Sequence, residues 1–377
     1  MEYLTERLRN FLHEHVLPVE NQLISGRDDG TLRALQLRAR DAGLWALPLP
    51  EHLGGAGLSL TEYAELAVLE GHSDAGPAVF GSDLLLDATM LDLHGGPSVH
   101  ARYLRPMVAG DAPPSFAMTE PGRAGSDPAS MATTAVRDGG AWVLTGRKWF
   151  VSRAATAAFT TVACRTPSGI SLIVVPSGAP GWRIVREVPV LGAGGQYELA
   201  LERVRVPVDH LLGAEGEGLA VAGERLALGR TLRCLRWLGQ AQRAFDLMLE
   251  RMRGRHVRGG VLADRQLLHR YVFDSHADLL AAASATRLAV DALARGTDPR
   301  TAVGTAKVLT ARAFDAVVDR AIQIHGAEGL SDDTPLAMLH RSARAARILD
   351  GPDETHVTAV ARRLLAVTSP PPAPGPG

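Results

Sequence analysis

The sequence predicts an α+β multidomain protein in three parts: a helical N-terminal domain over residues 1–112, a β-rich middle domain over 113–213 and a helical C-terminal domain over 214–367. Three observations predict it. In the first part Leu4, Leu8, Phe11 and Leu12 fall on one helical face, and Leu32, Leu35, Leu37 and Leu44 make a second stripe. In the second, short β-prone runs follow one another: AWVLTG, KWFVS, FTTVAC, GISLIVVP, WRIVREVPV and YELALERVRVP. In the third, helical periodicity returns in longer segments, Leu219 to Arg253, Ala263 to Arg295 and Pro299 to Ile324.

Each part has its own punctuation. Glycine and proline clusters at Pro48–Gly57 and Gly95–Pro97 interrupt the first helices. Turn signals at Asp138-Gly139-Gly140 and Pro167-Ser168-Gly169 separate the β runs, a spacing that suits a small antiparallel barrel or sandwich. Long apolar-striped helices form bundles and often supply subunit interfaces. The end, SPPPAPGPG within residues 368–377, reads as a disordered proline-rich tail.

Composition narrows the function. The chain has 377 residues, 46% apolar and 21% charged, with a net charge of −1. That weakens the case for a nucleic-acid or anionic-membrane partner, whose footprint is a basic excess. Only two of the 40 basic residues are lysines, Lys148 and Lys307, which fits a codon bias toward arginine. Two cysteines, Cys164 and Cys234, make no disulfide framework, so a reducing, cytoplasmic setting is the default and both thiols are expected to be buried and inert. The N-terminus lacks the apolar stretch of a signal peptide, and no membrane span is expected.

Familiar catalytic motifs are missing. There is no HExxH, CxxC or Cys/His cluster among the 13 histidines and two cysteines, so no metal site is expected. Gly192-x-Gly194-Gly195 lies between strands and reads as a turn, not a dinucleotide loop. No GxSxG elbow occurs. Three polar clusters remain. MTEPGRAGSD, Met118 to Asp127, offers glycines, hydroxyls and backbone donors for close approach to a planar or phosphorylated ligand. In KWFVS, Trp149 and Phe150 are neighbours on a strand and are expected on opposite faces. In DGPDE, Asp350 to Glu354, three acids stand between two helices, where Asp350 or Asp353 can cap the last one.

Together these segments resemble the acyl-CoA dehydrogenase superfamily from about Leu4 to Leu365. The pieces come in order: MTEPGRAGSD then LTGRKWFVS; ERVRVPVDHLLGAEGEGLAVA; GRTLRCLRWLGQAQRAFDLMLERMRGR; AIQIHGAEGL; RAARILDGPDETH. The closest resemblance is to a sub-branch with DGPDE and an extra residue in the TEP…SD loop, whose animal members are fused to an aminoglycoside-phosphotransferase-like domain. Here that kinase-like module is not expected, because the chain opens on the dehydrogenase's own first helix.

The resemblance implies a helical domain, an antiparallel β-barrel and a four-helix bundle. It implies FAD, bound with help from a neighbouring subunit, and therefore a homodimer or homotetramer. It places Phe116, Met118, Thr119, Gly125 and Ser126 along the flavin, with Ser126 also toward substrate, Phe150 against the ring and Ser152 near its hydride-accepting nitrogen. The family usually has Trp and Thr at those last two positions. Arg255 and Gln266 match a segment that reaches the partner's FAD, with Arg258 where the family has Phe. Gln323, Gly326 and Ala327 match the adenine end. Gly351, Pro352 and Asp353 stand for Gly-Thr-Ser/Ala, which removes a threonine hydroxyl contact.

Asp350 stands where most of the family has its catalytic glutamate. It would take the α-proton of an acyl thioester while the β-hydrogen leaves as hydride, since desolvation raises a carboxylate's basicity. Aspartate is shorter by about 1.5 Å. Rival readings make Asp350 a helix cap only, or make Glu354 the base. The other position used in the family is Gly229 here, so that option is closed; Arg230 is kept as a candidate substrate contact, while a usual aspartate is Ala227. Expected partners are acyl-CoA or an acyl carrier protein and an electron-transfer flavoprotein. A flavin oxidase or monooxygenase on the same fold, and a degenerate non-catalytic subunit, are the competing readings.

Overall fold

The computed structural model describes residues 1–24 and 29–366; the proline-rich tail lies outside them. The chain divides into two compact units, Met1–Leu232 and Arg233–Gly377, and the boundary falls inside the 37-residue helix Gly218–Gly254.

The first unit opens with helices. Glu2–Phe11 buries Leu8 and Phe11, as its periodicity predicts. In Asp29–Asp41 the buried stripe is Leu35 and Ala39, and Leu37 is 50% exposed, contrary to expectation. Leu37 lies two residues from Leu35, about 200° around the helix, so the two cannot share a face. Leu60–Glu70 starts from a capping box in which Ser59 and Glu62 bond each other's backbone N–H.

An eight-stranded sheet follows: β1 Pro114–Ala117, β2 Thr134–Asp138, β3 Ala141–Ser152, β4 Phe159–Thr166, β5 Gly169–Pro176, β6 Trp182–Glu187, β7 Gln196–Pro207 and β8 Leu211–Leu212. Its order is β6-β7-β3-β2-β4-β5-β8, with β1 beside β4. Most pairings are antiparallel, but β1–β4 and β2–β4 are parallel, so the sheet is mixed. The two runs AWVLTG and KWFVS are one strand, β3. Gly192 and Gly195 sit in a tight turn where Val190 and Ala193 exchange backbone bonds.

β4 and β5 are buried on both faces, which explains their unbroken apolar runs. Val162, Cys164, Ile173 and Val175 point into a core with Trp142, Leu144, Leu199 and Leu201. The alternate residues Ala163, Leu172 and Val174 pack on Leu85, Leu91, Tyr103 and Leu104 from the helices. Burial pushes the Cys164 thiol up to about 12, so it is inert at neutral pH.

The second unit is a helical bundle. Gln266–Ala294, Leu336–Ala346 and Asp353–Ala366 pack around Arg300–His325. That central helix buries Ala306, Ala311, Phe314, Val317, Val318 and Ala321. Gly304 lets Asp353–Ala366 approach, since a Cβ there would lie 2.9 Å from Val360 Cγ2. No helix among the described residues is long and apolar enough to cross a membrane.

One buried ion pair ties the sheet to the loop after β1. Lys148 of β3 is fully buried, and its Nζ donates to Met118 O and to Glu120 Oε1, both at 2.9 Å. Glu120 also accepts from the N–H groups of Ala132, at 2.6 Å, and Thr133, at 2.9 Å. Burial alone would raise the Glu120 pKa, but these three donors outweigh it and hold it at about 2, below its ordinary 4.5. A depressed carboxylate adds stability above its unfolded value and loses it as pH falls through the folded one. The stability gap between wild type and Glu120→Gln in urea unfolding is therefore expected to be full above pH 4.5 and to close toward pH 2. A gap independent of pH would show that the ionised Glu120 carboxylate does not carry this stability.

Candidate active site

The loop anchored by Lys148 carries most of the sheet's candidate ligands. Thr119 Oγ1 donates to Trp149 O at 2.8 Å, and Trp149 N donates to Thr119 O at 3.1 Å. Met118, Thr119, Gly125, Asp127 and Ser130 line a small hollow. Gly125 packs so closely that a Cβ would lie 2.9 Å from Thr119 Cγ2. Ser126 is exposed beside it. Phe116 lies under the Arg225 guanidinium, 4.1 Å from the ring centre, and Arg225 is itself paired with Asp87 at 3.2 Å.

Trp149 and Phe150 depart from the strand rule. The β3–β7 register shifts between Lys148 and Val151, and Phe150 has φ +51°. Their rings therefore lie together, centroids 4.8 Å apart, and not on opposite faces. A bulky residue at positive φ is strained. Phe150 is also 45% exposed. Such an aromatic, held open beside hydroxyl groups, suits a planar ring. Ser152 adds a hydroxyl that accepts from Gln196 Nε2 at 2.9 Å, while its carbonyl accepts from Ser115 Oγ at 2.9 Å.

The DGPDE turn distinguishes its three acids. Asp353 is buried, and its carboxylate meets Lys307 Nζ at 3.4 Å and the Nε atoms of Arg312 and Arg347, each at 3.2 Å. Glu354 is exposed on the first turn of Asp353–Ala366. Asp350 is half-buried in the left-handed region, φ +56°, with Oδ2 3.4 Å from Arg233 Nε. Gly351 follows at φ +99°, where a Cβ would fall 2.9 Å from His356 Nε2. That same nitrogen lies 3.1 Å from Asp350 O and fixes the turn.

A third group sits at one end of the second unit. Arg251 Nη2 donates to His325 O at 3.3 Å and pairs with Glu328 at 2.9 Å. This brings the exposed Gln323, Gly326 and Ala327 near the helix end that carries Arg255. Gly326 takes φ +68° there. Arg255 and Gln266 are exposed on either side of the small ladder His256–Val257/Gly260–Val261. Arg265 binds the carbonyl of Arg258.

Comparison with known proteins identifies this arrangement. Residues 2–111, 115–204 and 216–365 match the acyl-CoA dehydrogenase N-terminal, middle and C-terminal domains. The chain belongs to the acyl-CoA dehydrogenase family. It is 38% identical to the probable acyl-CoA dehydrogenase FadE2 of Mycobacterium tuberculosis, over 97% of this chain and 95% of that one. It is 30% identical to (R)-benzylsuccinyl-CoA dehydrogenase of Thauera aromatica, over 96% and 94%. It is 31% identical to acyl-CoA dehydrogenase family member 11 of Rattus norvegicus over 97% of this chain, but spans only 50% of that protein. A solved acyl-CoA dehydrogenase-type chain from Mycobacterium abscessus superposes with a TM-score of 0.92 at 31% identity, covering 98% of each.

As a member of this family the chain is a flavin oxidoreductase of the acyl-CoA dehydrogenase type, and FAD is its cofactor. The geometry adds residues that sequence patterns missed: Glu120, Arg233, Arg251 and Lys307. Gly229 is also explained, since a side chain there would start 3.2 Å from Leu86 Cδ1. Arg230, beside it, is half-buried. Because three cations face Asp353, Asp353→Ala is expected to cost about 3–5 kcal/mol, the range for breaking a buried pair. Chemical unfolding measures this; a loss under about 1 kcal/mol, the value of an exposed pair, would contradict it.

Proposed function

We propose that the protein is an α,β-dehydrogenase of acyl thioesters in which Asp350 removes the α-proton. The observation that carries this reading is the contrast within DGPDE. Asp353 is occupied by three cations and Glu354 faces outward, whereas Asp350 is half-buried at a turn with its carboxylate beside the Arg233 guanidinium. Left-handed φ suits aspartate better than most residues. Gly351 and His356 hold that backbone in place.

FAD, when bound, supplies the hydride acceptor for the β-hydrogen. Phe116, Met118, Thr119, Gly125, Ser126, Phe150 and Ser152 are the residues proposed to hold its ring and pyrophosphate. Arg255, Gln266, Gln323, Gly326, Ala327, Gly351, Pro352 and Asp353 are proposed for the remainder, Asp353 through its backbone because its carboxylate is committed. Arg230 and Ser126 are proposed to meet the substrate. Asp350 takes up the proton at a carboxylate oxygen. In the family pattern the same residue's backbone N–H polarises the thioester carbonyl, where negative charge develops.

Coenzyme A or an acyl carrier protein is the proposed thiol carrier, and an electron-transfer flavoprotein the proposed acceptor. A homo-oligomer is supported by Leu267, Phe273, Leu280 and Leu288, which are 88%, 70%, 62% and 64% exposed along Gln266–Ala294. Exposed apolar surface on one helix marks an interface.

Asp350→Asn is expected to retain FAD and to slow flavin bleaching by acyl-CoA about 10²–10⁴-fold, the range for a general base. Anaerobic stopped-flow absorbance follows this, and unaltered bleaching would remove Asp350 from the role. Arg255→Ala is expected to lower bound flavin per subunit, read from the visible-to-protein absorbance ratio. Full occupancy would remove Arg255 from the FAD site.

A further inference from the structure

We infer that the acyl group taken by this enzyme carries a second carboxylate, and that Arg233 is the residue that reads it. The inference deepens the dehydrogenase reading of Asp350 and rests on it.

The argument begins with the ion pair. Arg233 Nε lies 3.4 Å from Asp350 Oδ2, and the two side chains are 36% and 30% exposed. The pair is therefore open enough to exchange partners. A proton-abstracting carboxylate must turn an oxygen to the substrate's α-carbon. Doing so draws it from Arg233 just as the acyl group expels water from both. A guanidinium cannot shed its charge, so it is left facing whatever the acyl group presents. Against a plain alkyl chain it loses its anion and its hydration together, which is the costly way to break a sheltered pair. Against a chain ending in a carboxylate it gains a bidentate partner, and Asp350 is released for the proton.

The neighbourhood fits such a chain. Ile348 and Leu349, the two residues before Asp350, are 58% and 41% exposed. Apolar side chains next to the Arg233 guanidinium suit methylene groups ending in an acid. Asp353 cannot relieve Arg233, since Lys307, Arg312 and Arg347 hold it. The other positions once open to a base in this fold offer no anion either: Gly229 and Ala227 carry no charge.

The test compares thioesters of equal carbon number: succinyl-, glutaryl- and adipoyl-CoA against butyryl-, valeryl- and hexanoyl-CoA, with the FAD-loaded enzyme and anaerobic flavin reduction as the readout. A hydrogen bond to a charged group is worth enough to favour the best acidic member about 10- to 100-fold in kcat/KM. Arg233→Met is expected to lose that preference and Arg233→Lys to regain part of it. Binding to the Asp350→Asn protein, measured by calorimetry, gives a readout without turnover. Its affinity gap in favour of the acidic thioester should widen, because Arg233 no longer shares its charge, and should vanish in Asp350→Asn/Arg233→Met. Neutral thioesters that reduce the flavin as well as acidic ones, or an acid preference that survives Arg233→Met, would overturn the inference. If reduction by neutral thioesters still depends on Asp350, the dehydrogenase reading stands without it. If no thioester reduces the flavin, that reading fails, and the binding comparison still decides whether Arg233 selects an acid.

Discussion

Two buried lysines, one in each compact unit, hold the segments that carry the candidate residues. They are the only lysines among the 40 Lys and Arg residues, and they are 0% and 1% exposed. Lys148 clamps Met118 and Glu120 under the loop that carries the proposed flavin contacts. Lys307 meets Asp353 under the turn that carries Asp350. The chemistry explains the exception. An ammonium is a compact charge with three donors, whereas a guanidinium brings five donors in a planar fork that a tight interior must satisfy. Both lysines of the chain stand where the cation is enclosed by the fold. Composition alone suggested codon bias, and the bias makes the two exceptions informative.

Around these anchors, order and exposure are divided. The pairs themselves are dry and fixed, while the groups they support are more open: Ser126 and Phe150 are exposed and Asp350 is half-buried. Backbone strain occurs at two of these groups. Phe150 and Asp350 both have positive φ without being glycine. Such backbone costs of order 1–3 kcal/mol and persists only where surroundings over-determine it. Here the surroundings are a register shift beside Lys148 and the close approach of Gly351 to His356.

The sequence made the long helices legible almost to the residue, because helical periodicity is a local signal. Leu219 to Arg253 was expected and Gly218–Gly254 is found. The sheet was legible as runs but not as pairings. β1 is four residues long and joins β4 in parallel across an intervening hairpin, a contact with no local signature. Trp149 and Phe150 misled for a related reason. Strand alternation assumes regular φ, and a bulge set by the partner strand removes it. In DGPDE the acids were visible and their division of labour was not. Which carboxylate is consumed depends on Lys307 and Arg312, more than forty residues away. A lysine standing alone among arginines was the one sequence signal that pointed there.

The proposed use of an aspartate as the base is consistent with this arrangement. An aspartate loses about 1.5 Å of reach relative to a glutamate, and a misplacement of that size can cost about 10²-fold if nothing compensates. Compensation has to come from the backbone, because the side chain has only one further rotor to give. At Asp350 the backbone is already out of the ordinary region, and the next residue is a glycine that no side chain can replace without meeting His356. Asp353 then starts the last helix with its carboxylate locked. The turn is thus held at both ends, by a histidine on its first carbonyl and by a buried lysine at the helix start. A carboxylate on a turn fixed in this way is placed by its backbone, which is what a shorter side chain would need in order to serve as the proposed base.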